Sequence, residues 1–398
     1  MAERDRARQA SRFDDGGDVA GLTLGALARS RKPDERRLPI HPRHVGRIDP
    51  ELRRRIRLEH GYGEPFGVGD DELGRLVAGL ASRDELVAES DILLLPKPLA
   101  ADLAEMPEGR VLWGWPHCVQ DRELTQIAID RRLTLVAWEA MNRWKRNGAF
   151  GLHVFHRNNE LAGYASVLHA MELIGTTGTF GRSLTAAVIG FGATGRGAVT
   201  ALHAMGIAEV TVLTQRAPSG VAAQIEPMTV IQFDVDAVGA ICARRPQGDD
   251  VSVVRLLAEF DIVVNCVLQN PEEPLVFVTE ADLPALRPGT LVVDVSCDAG
   301  MGFSWARPTS FADPMFTVGD HVRYYGVDHS PSHLWDSATW EVSNALLPYL
   351  PTMLAGPAAW DADETVRRGI EIRDGVVQNR QILSFQGRAD EYPHPLTG

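Results

Sequence analysis

The chain has 398 residues and only four cysteines, Cys118, Cys242, Cys266 and Cys297. No two have metal-ligand spacing, and three lie in apolar, strand-like runs. That argues against a zinc site or a disulfide framework and for buried free thiols in a reducing compartment. His153 and His156 stand three apart, but no third ligand accompanies them, so no metal is expected. Positive charge is also short. With 40 Lys and Arg against 53 Asp and Glu, the net charge is −13, which argues against nucleic acid or an anionic membrane surface as partner. No apolar run reaches about 18 residues without Pro or charge, so no membrane span is expected. Residues 1–20 are charged and lack the apolar stretch of a secretory signal; a disordered tail and a cytoplasmic protein are expected. There are no repeats.

What is present is a dinucleotide fingerprint in its proper context. Residues 185–189 (TAAVI) form a buried strand pattern, followed at once by Gly190-Phe191-Gly192-Ala193-Thr194-Gly195, a helical pattern over 196–205 and a second strand pattern over 210–214. In G-x-G-x-x-G the first glycine allows the tight turn, the second lets backbone approach a pyrophosphate, and the third lets helix pack on strand. The helix N-terminus, at Gly192, Ala193 and Thr194, then faces the phosphates. Where the second strand ends, an NAD enzyme usually carries Asp or Glu for the ribose hydroxyls. This chain has Thr214-Gln215-Arg216. A guanidinium there would hold a 2′-phosphate that a carboxylate would repel, so NADP(H) is the expected cofactor. The competing reading is a solvated loop arginine with a loose preference.

The length suggests two domains. Strand-like runs at 22–28, 91–95, 110–113 and 133–138 alternate with helical patterns at 73–81 and 123–131. The basic run 53–57 reads as a solvated helix face. Further buried strands are expected at 261–268, 290–296 and 322–328, with a helix over 158–174 crossing into the second domain and one over 341–350 returning to the first. The expected fold is α/β, with two Rossmann-like domains built on parallel sheets. The nucleotide-binding domain (158–327) is inserted into a discontinuous substrate domain (21–157 and 328–398).

Polar groups at strand ends are the candidates for chemistry, because open α/β sheets bind ligands at the carboxyl ends of their strands. Lys97, between Pro96 and Pro98, follows one apolar strand, and His117 follows another. An imidazole there is placed for proton transfer, though a satisfied structural histidine is equally open on position alone. Asp294 lies in a strand with Asp298 just past it. Asp328 and His329 end the last strand. Arg37, taken alone, reads as a surface arginine.

Taken in order, Arg37-Leu38-Pro39-Ile40-His41-Pro42, Lys97-Pro98, Pro116-His117-Cys118, the glycine fingerprint, Asp294-Val295-Ser296-Cys297-Asp298 and Asp328-His329-Ser330-Pro331-Ser332 resemble one superfamily. It holds alanine dehydrogenase, the nucleotide-binding part of transhydrogenase and lysine-forming saccharopine dehydrogenase. The chain looks most like the N5-(carboxyethyl)ornithine synthases within it. The resemblance implies that Arg37 and Lys97 bind a 2-oxo acid, that His117 is the acid/base, and that Asp298 lies by the nicotinamide ribose and the reacting centre, as a catalytic residue with His117 and Lys97. Saccharopine dehydrogenases carry an arginine shortly after the Asp-His-x-Pro motif, where this chain has His333-Leu334-Trp335-Asp336. Loss of that cation points away from glutamate as second substrate, and Asp336 or Glu341 could face an ammonium instead. The implied activity is an NADPH-dependent, opine-type oxidoreductase acting on CH–NH groups. It would join pyruvate or glyoxylate to the side-chain amine of ornithine or lysine, or cleave such a secondary amine. The alternatives are alanine dehydrogenase-like amination with ammonia and a non-catalytic NADPH-binding sensor. A homodimer or larger homo-oligomer is expected.

Overall fold

A computed structural model of the protein describes residues 21–217, 225–237, 239–245, 249–270 and 273–397. The tail expected over 1–20 lies outside the described residues.

Short apolar runs set the architecture. Leu24–Ala26, Ile92–Leu94, Val111–Gly114 and Thr134–Ala137 are buried along their whole length, as parallel strands covered on both faces must be. With Ile56–Glu59 and Gly79–Ala81 they form one parallel sheet. Numbered along the chain, its six strands stand in the order 3-2-1-4-5-6, the doubly wound arrangement. The second sheet repeats the order with Thr185–Ile189, Glu209–Thr214, Thr229–Val235, Ile262–Asn265, Leu291–Asp294 and Val322–Tyr325.

Connectivity makes the first unit discontinuous. The 18-residue helix His156–Leu173 leads into the second sheet, and the helix Trp335–Leu346 leads back. Val342, Leu346, Leu350 and Met353 join the core built on the first sheet. Ile370–Arg373 and Val376–Val377 then extend that sheet antiparallel beyond Thr134–Ala137. The nucleotide-type unit is thus inserted into the other. No helix among the described residues is long and apolar enough to cross a membrane.

Two expectations fail locally. The run 53–57 is not a helix face: the helix stops at Arg53, and Ile56–Glu59 is a strand with Ile56 and Leu58 fully buried. The period there is two, with Arg57 and Glu59 on the opposite face, and the dense arginines mask it. The helix expected over 73–81 is only Asp70–Gly74, and Gly79–Ala81 is a strand beside Ile56–Glu59. Gly74 and Gly79 break the helical pattern.

Candidate active site between the two sheets

The fingerprint loop has the shape a dinucleotide needs. Gly190 sits at φ +89°, where only glycine is free of strain. A Cβ on Gly195 would stand 2.1 Å from the Gly190 carbonyl oxygen, so the helix Ala193–Ala204 can close on the strand only with glycine there. Beside Gly192 the space is open for 4 Å, which leaves room for a pyrophosphate at the helix N-terminus. Thr214 is buried at the end of its strand, and its Oγ accepts from Arg216 N. Arg216 is exposed, and its Nη2 donates at 2.5 Å to Phe191 O within the glycine loop. The guanidinium is therefore held against the fingerprint, not spread into solvent. Gln215 is exposed, and its carbonyl accepts from Gln232. These residues fit a nicotinamide dinucleotide.

A cleft of about 760 Å³ lies between the two units, lined by His117, Glu139 and Glu371 from one and by Leu268, Asn270 and Asp298 from the other. His117 follows the strand Val111–Gly114 with φ +49°, and Cys297, just before Asp298, has φ +44°. Left-handed backbone at non-glycine residues is costly and gathers at functional sites. Lys97 Nζ lies 2.7 Å from His117 Nε2. An ammonium can only donate, so Nε2 accepts and the ring proton falls on Nδ1, 3.8 Å from Glu139 Oε1. The His117 backbone N–H donates to the same carboxylate oxygen at 2.7 Å. Burial, and then the Lys97 charge, hold the imidazole well below its usual pKa. Burial and the Arg37 charge lower Lys97. Burial raises Asp298.

Arg37 is buried beside this pair, over the Trp115 ring. Taken alone in the sequence it reads as a surface arginine, yet its Nε and Nη2 grip Glu35 at 2.8 and 2.5 Å, and Nη1 donates to Asn158 at 3.3 Å. Burial alone would raise Glu35, but the Arg37 charge and hydrogen bonds hold it at about 2. Two of its three guanidinium nitrogens are thus taken by one carboxylate, which leaves the Nη1 edge as the less occupied side. Asp328 and His329, where the chain leaves the second sheet, tie back to residues 32–33: Asp328 takes Lys32 Nζ at 2.6 Å and His329 Nδ1 at 2.6 Å, while His329 Nε2 faces Pro33 O at 3.0 Å. These bonds offset burial and hold Asp328 well below the carboxylate range. Asp336 is exposed and pairs with His41 Nε2 at 3.1 Å, away from the cleft lining. Glu341 likewise lies outside that lining. Asp294 is fully buried under Tyr324, Asn265 and the Cys297 N–H, and supports the turn to Asp298.

Sequence reasoning passed over Glu139, Glu371 and Lys32. Glu139 stands one residue past a strand-end tryptophan, the same strand-end position that singled out His117, so that rule could have found it. Glu371 alternates with Ile370 and Ile372, which reads as an exposed face, yet the residue is 4% exposed.

A glycine-loop sheet set against a second sheet of the same order, with a Lys–His pair and an aspartate across the cleft, defines a two-domain, nicotinamide-dependent oxidoreductase. The chain belongs to the alanine dehydrogenase/PNT family: the model of its N-terminal domain matches residues 26–158 and that of its C-terminal domain residues 163–380. It is an oxidoreductase acting on CH–NH groups. The alanine dehydrogenase of Mycobacterium tuberculosis (strain ATCC 25618 / H37Rv) is 26% identical over 373 residues, covering 89% of this chain and 95% of that protein. The N(5)-(carboxyethyl)ornithine synthase of Clostridium botulinum (strain Hall) is 24% identical over 335 residues, 81% of this chain and 92% of that protein. Among solved structures, an L-alanine dehydrogenase superposes with a TM-score of 0.72 at 19% identity, covering 92% of this chain and 99% of its own. A transhydrogenase from Sinorhizobium meliloti gives 0.64, also at 19%, over 90% and 99%. At that identity these two speak for the fold alone.

Proposed function

We propose that the protein is an NADPH-dependent opine-type enzyme. It condenses a small 2-oxo acid, pyruvate or glyoxylate, with the side-chain amine of ornithine or lysine, or cleaves such a secondary amine in reverse. The observation that carries this is the Lys97–His117 pair, 2.7 Å apart, at a cleft large enough for an oxo acid and a second, longer substrate. In this reading residues 158–327 hold the dinucleotide, and 21–157 with 328–398 hold the substrates.

The bound cofactor supplies the hydride. Arg216, held on the glycine loop, is the group for a 2′-phosphate, and no carboxylate competes with it. Lys97 orients the oxo acid and polarises its carbonyl. The Arg37 Nη1 edge receives the carboxylate. As Lys97 turns from Nε2 to the oxo acid, neutral His117 takes a proton from the attacking amine and hands it to the alkoxide oxygen, giving the carbinolamine. A second proton, from Lys97 through Nε2, takes that oxygen off as water and leaves the iminium for the hydride. Asp298 faces His117 across the cleft, where the reduced carbon must lie.

The test is cofactor oxidation with pyruvate or glyoxylate, each with ornithine, lysine or ammonium, using NADPH and NADH. Oxidation that needs ornithine or lysine supports the reading. Oxidation with ammonium alone replaces it with alanine dehydrogenase-like amination. NADPH binding without oxidation under any combination makes the protein a sensor.

A further inference from the structure

Two carboxylates on the substrate side of the cleft each have one oxygen without a hydrogen-bond partner of ordinary geometry among the described residues. Glu371, on the strand Ile370–Arg373, is 4% exposed and lines the cleft. Its Oε1 accepts from Asn379 Nδ2 at 3.0 Å. Asn379 is itself fixed, because its Oδ1 caps the next helix through Gln381 N. Glu371 Oε2 has no hydrogen-bond partner of ordinary geometry, although the Cys118 thiol lies beside the carboxylate. Glu139 repeats the pattern: Oε1 takes the His117 N–H, and Oε2 is buried without a partner.

Buried polar atoms without partners are rare and costly, and those of a carboxylate most of all. These two occur together in the cleft wall, Glu371 on its strand and Glu139 in the turn Trp138–Ala140 just past the neighbouring strand Thr134–Ala137. Burial and the Glu371 charge push the Glu139 carboxyl up to about 8. The Lys97 charge offsets this only in part, so a further positive charge would complement the pair. No group of three or more metal-ligating side chains is placed to hold an ion among the described residues. An ammonium, with three donors and one positive charge, complements both free oxygens.

We propose that Glu371, together with Glu139, forms the subsite for the non-reacting ammonium of the second substrate, and so selects amines that carry a second positive charge. This rests on the condensation reading above and assigns to it the residues that choose the amine. Glu371 is a binding residue and exchanges no proton with the reacting atoms.

The test compares ornithine with 5-aminopentanoate, the same skeleton without the α-ammonium. Loss of one charge-assisted contact predicts that Glu371→Gln lowers kcat/KM for ornithine about 10–100-fold, mostly through KM, and changes 5-aminopentanoate less than about threefold. Glu371→Asp, which keeps the charge, should recover part of the selectivity. An equal loss for both amines would mean a merely structural glutamate and overturn the proposal. Calorimetric titration of the unmodified enzyme with NADP⁺ bound gives a reading that needs neither turnover nor a folded variant. Ornithine should bind at least about tenfold tighter than 5-aminopentanoate, and equal binding overturns the subsite. Selective ornithine binding without turnover of any diamino acid would uphold the subsite and remove the condensation reading. Turnover with unaltered selectivity in Glu371→Gln would do the reverse.

Discussion

Replacing His117 by Asn separates proton transfer from architecture. The substitution suits the backbone, because Asn is among the few side chains that tolerate the left-handed region His117 occupies at φ +49°. The backbone N–H that binds Glu139 at 2.7 Å is kept. What goes is a titratable nitrogen and its 2.7 Å contact with Lys97. One neutral acceptor lost to an ammonium costs roughly 1–2 kcal/mol of stability, a shift of a few degrees in Tm for a chain of this size. Removal of general acid–base catalysis should lower kcat by about 10²–10⁴-fold, roughly 3–5 kcal/mol at the transition state. The kinetic effect is therefore expected to exceed the structural one severalfold. NADPH affinity should be unchanged, since the fingerprint sits on the other sheet. The assay is single-turnover NADPH oxidation, with cofactor binding and Tm measured on the same preparation. A kcat within about threefold of the unmodified enzyme, well short of that range, would remove His117 from the mechanism. Proton transfer would then fall to Lys97 or Asp298.

Arg216→Ala should raise KM for NADPH about tenfold or more and leave KM for NADH nearly unchanged; equal use of both cofactors by the unmodified enzyme would sink the NADP(H) assignment. Lys97→Met should raise KM for the 2-oxo acid together with a fall in kcat, because Lys97 both holds and polarises it; unchanged KM would confine Lys97 to tuning His117. Glu35→Gln should cost about 3–5 kcal/mol, since it removes the carboxylate charge that neutralises the buried Arg37 guanidinium. The Glu35 carboxyl is held at about 2 against an ordinary 4.5. Its stabilisation is complete above about pH 4.5 and is lost as pH falls towards 2, so Tm of the unmodified protein should fall across that window more steeply than Tm of Glu35→Gln.

The glycine fingerprint was legible because each of its residues answers a local demand. A turn, an approach and a packing contact are set by a few consecutive positions, and Thr185–Ile189 has the strand bounds its apolar pattern gives. Edge strands were not. Met315–Val318 and Val376–Val377 carry little burial signal, because each is paired on one side only. At the site, His117, Lys97 and Asp298 stand at strand ends, and the topology rule reaches strand ends. Arg37 was readable as a cation, but its capture by Glu35 depends on burial, and its only sequence trace is a carboxylate two residues away. Asp336 was expected near a substrate ammonium, yet it faces His41, because its helix turns its first residues outward. Glu371, which does line the cleft, arrives on a strand added to the sheet from more than 200 residues downstream of Thr134–Ala137.

That late strand bears on how the protonation of the site is set. Lys97, His117 and Glu139 stand at the ends of three neighbouring parallel strands, so the order of the sheet fixes the order of the groups. Burial favours the uncharged form of each: it lowers the lysine and the histidine and raises the glutamate. Glu371, brought alongside by the added strand, raises Glu139 further. The imidazole is then neutral and accepts from Lys97, which is the state needed to take a proton from an attacking amine. In the proposed reaction the proton taken from the amine makes the imidazole cationic, which is the state needed to give a proton to the departing oxygen. The two half-reactions thus call for opposite protonation states of one residue, and the attacking amine itself moves His117 between them without a change in the fold.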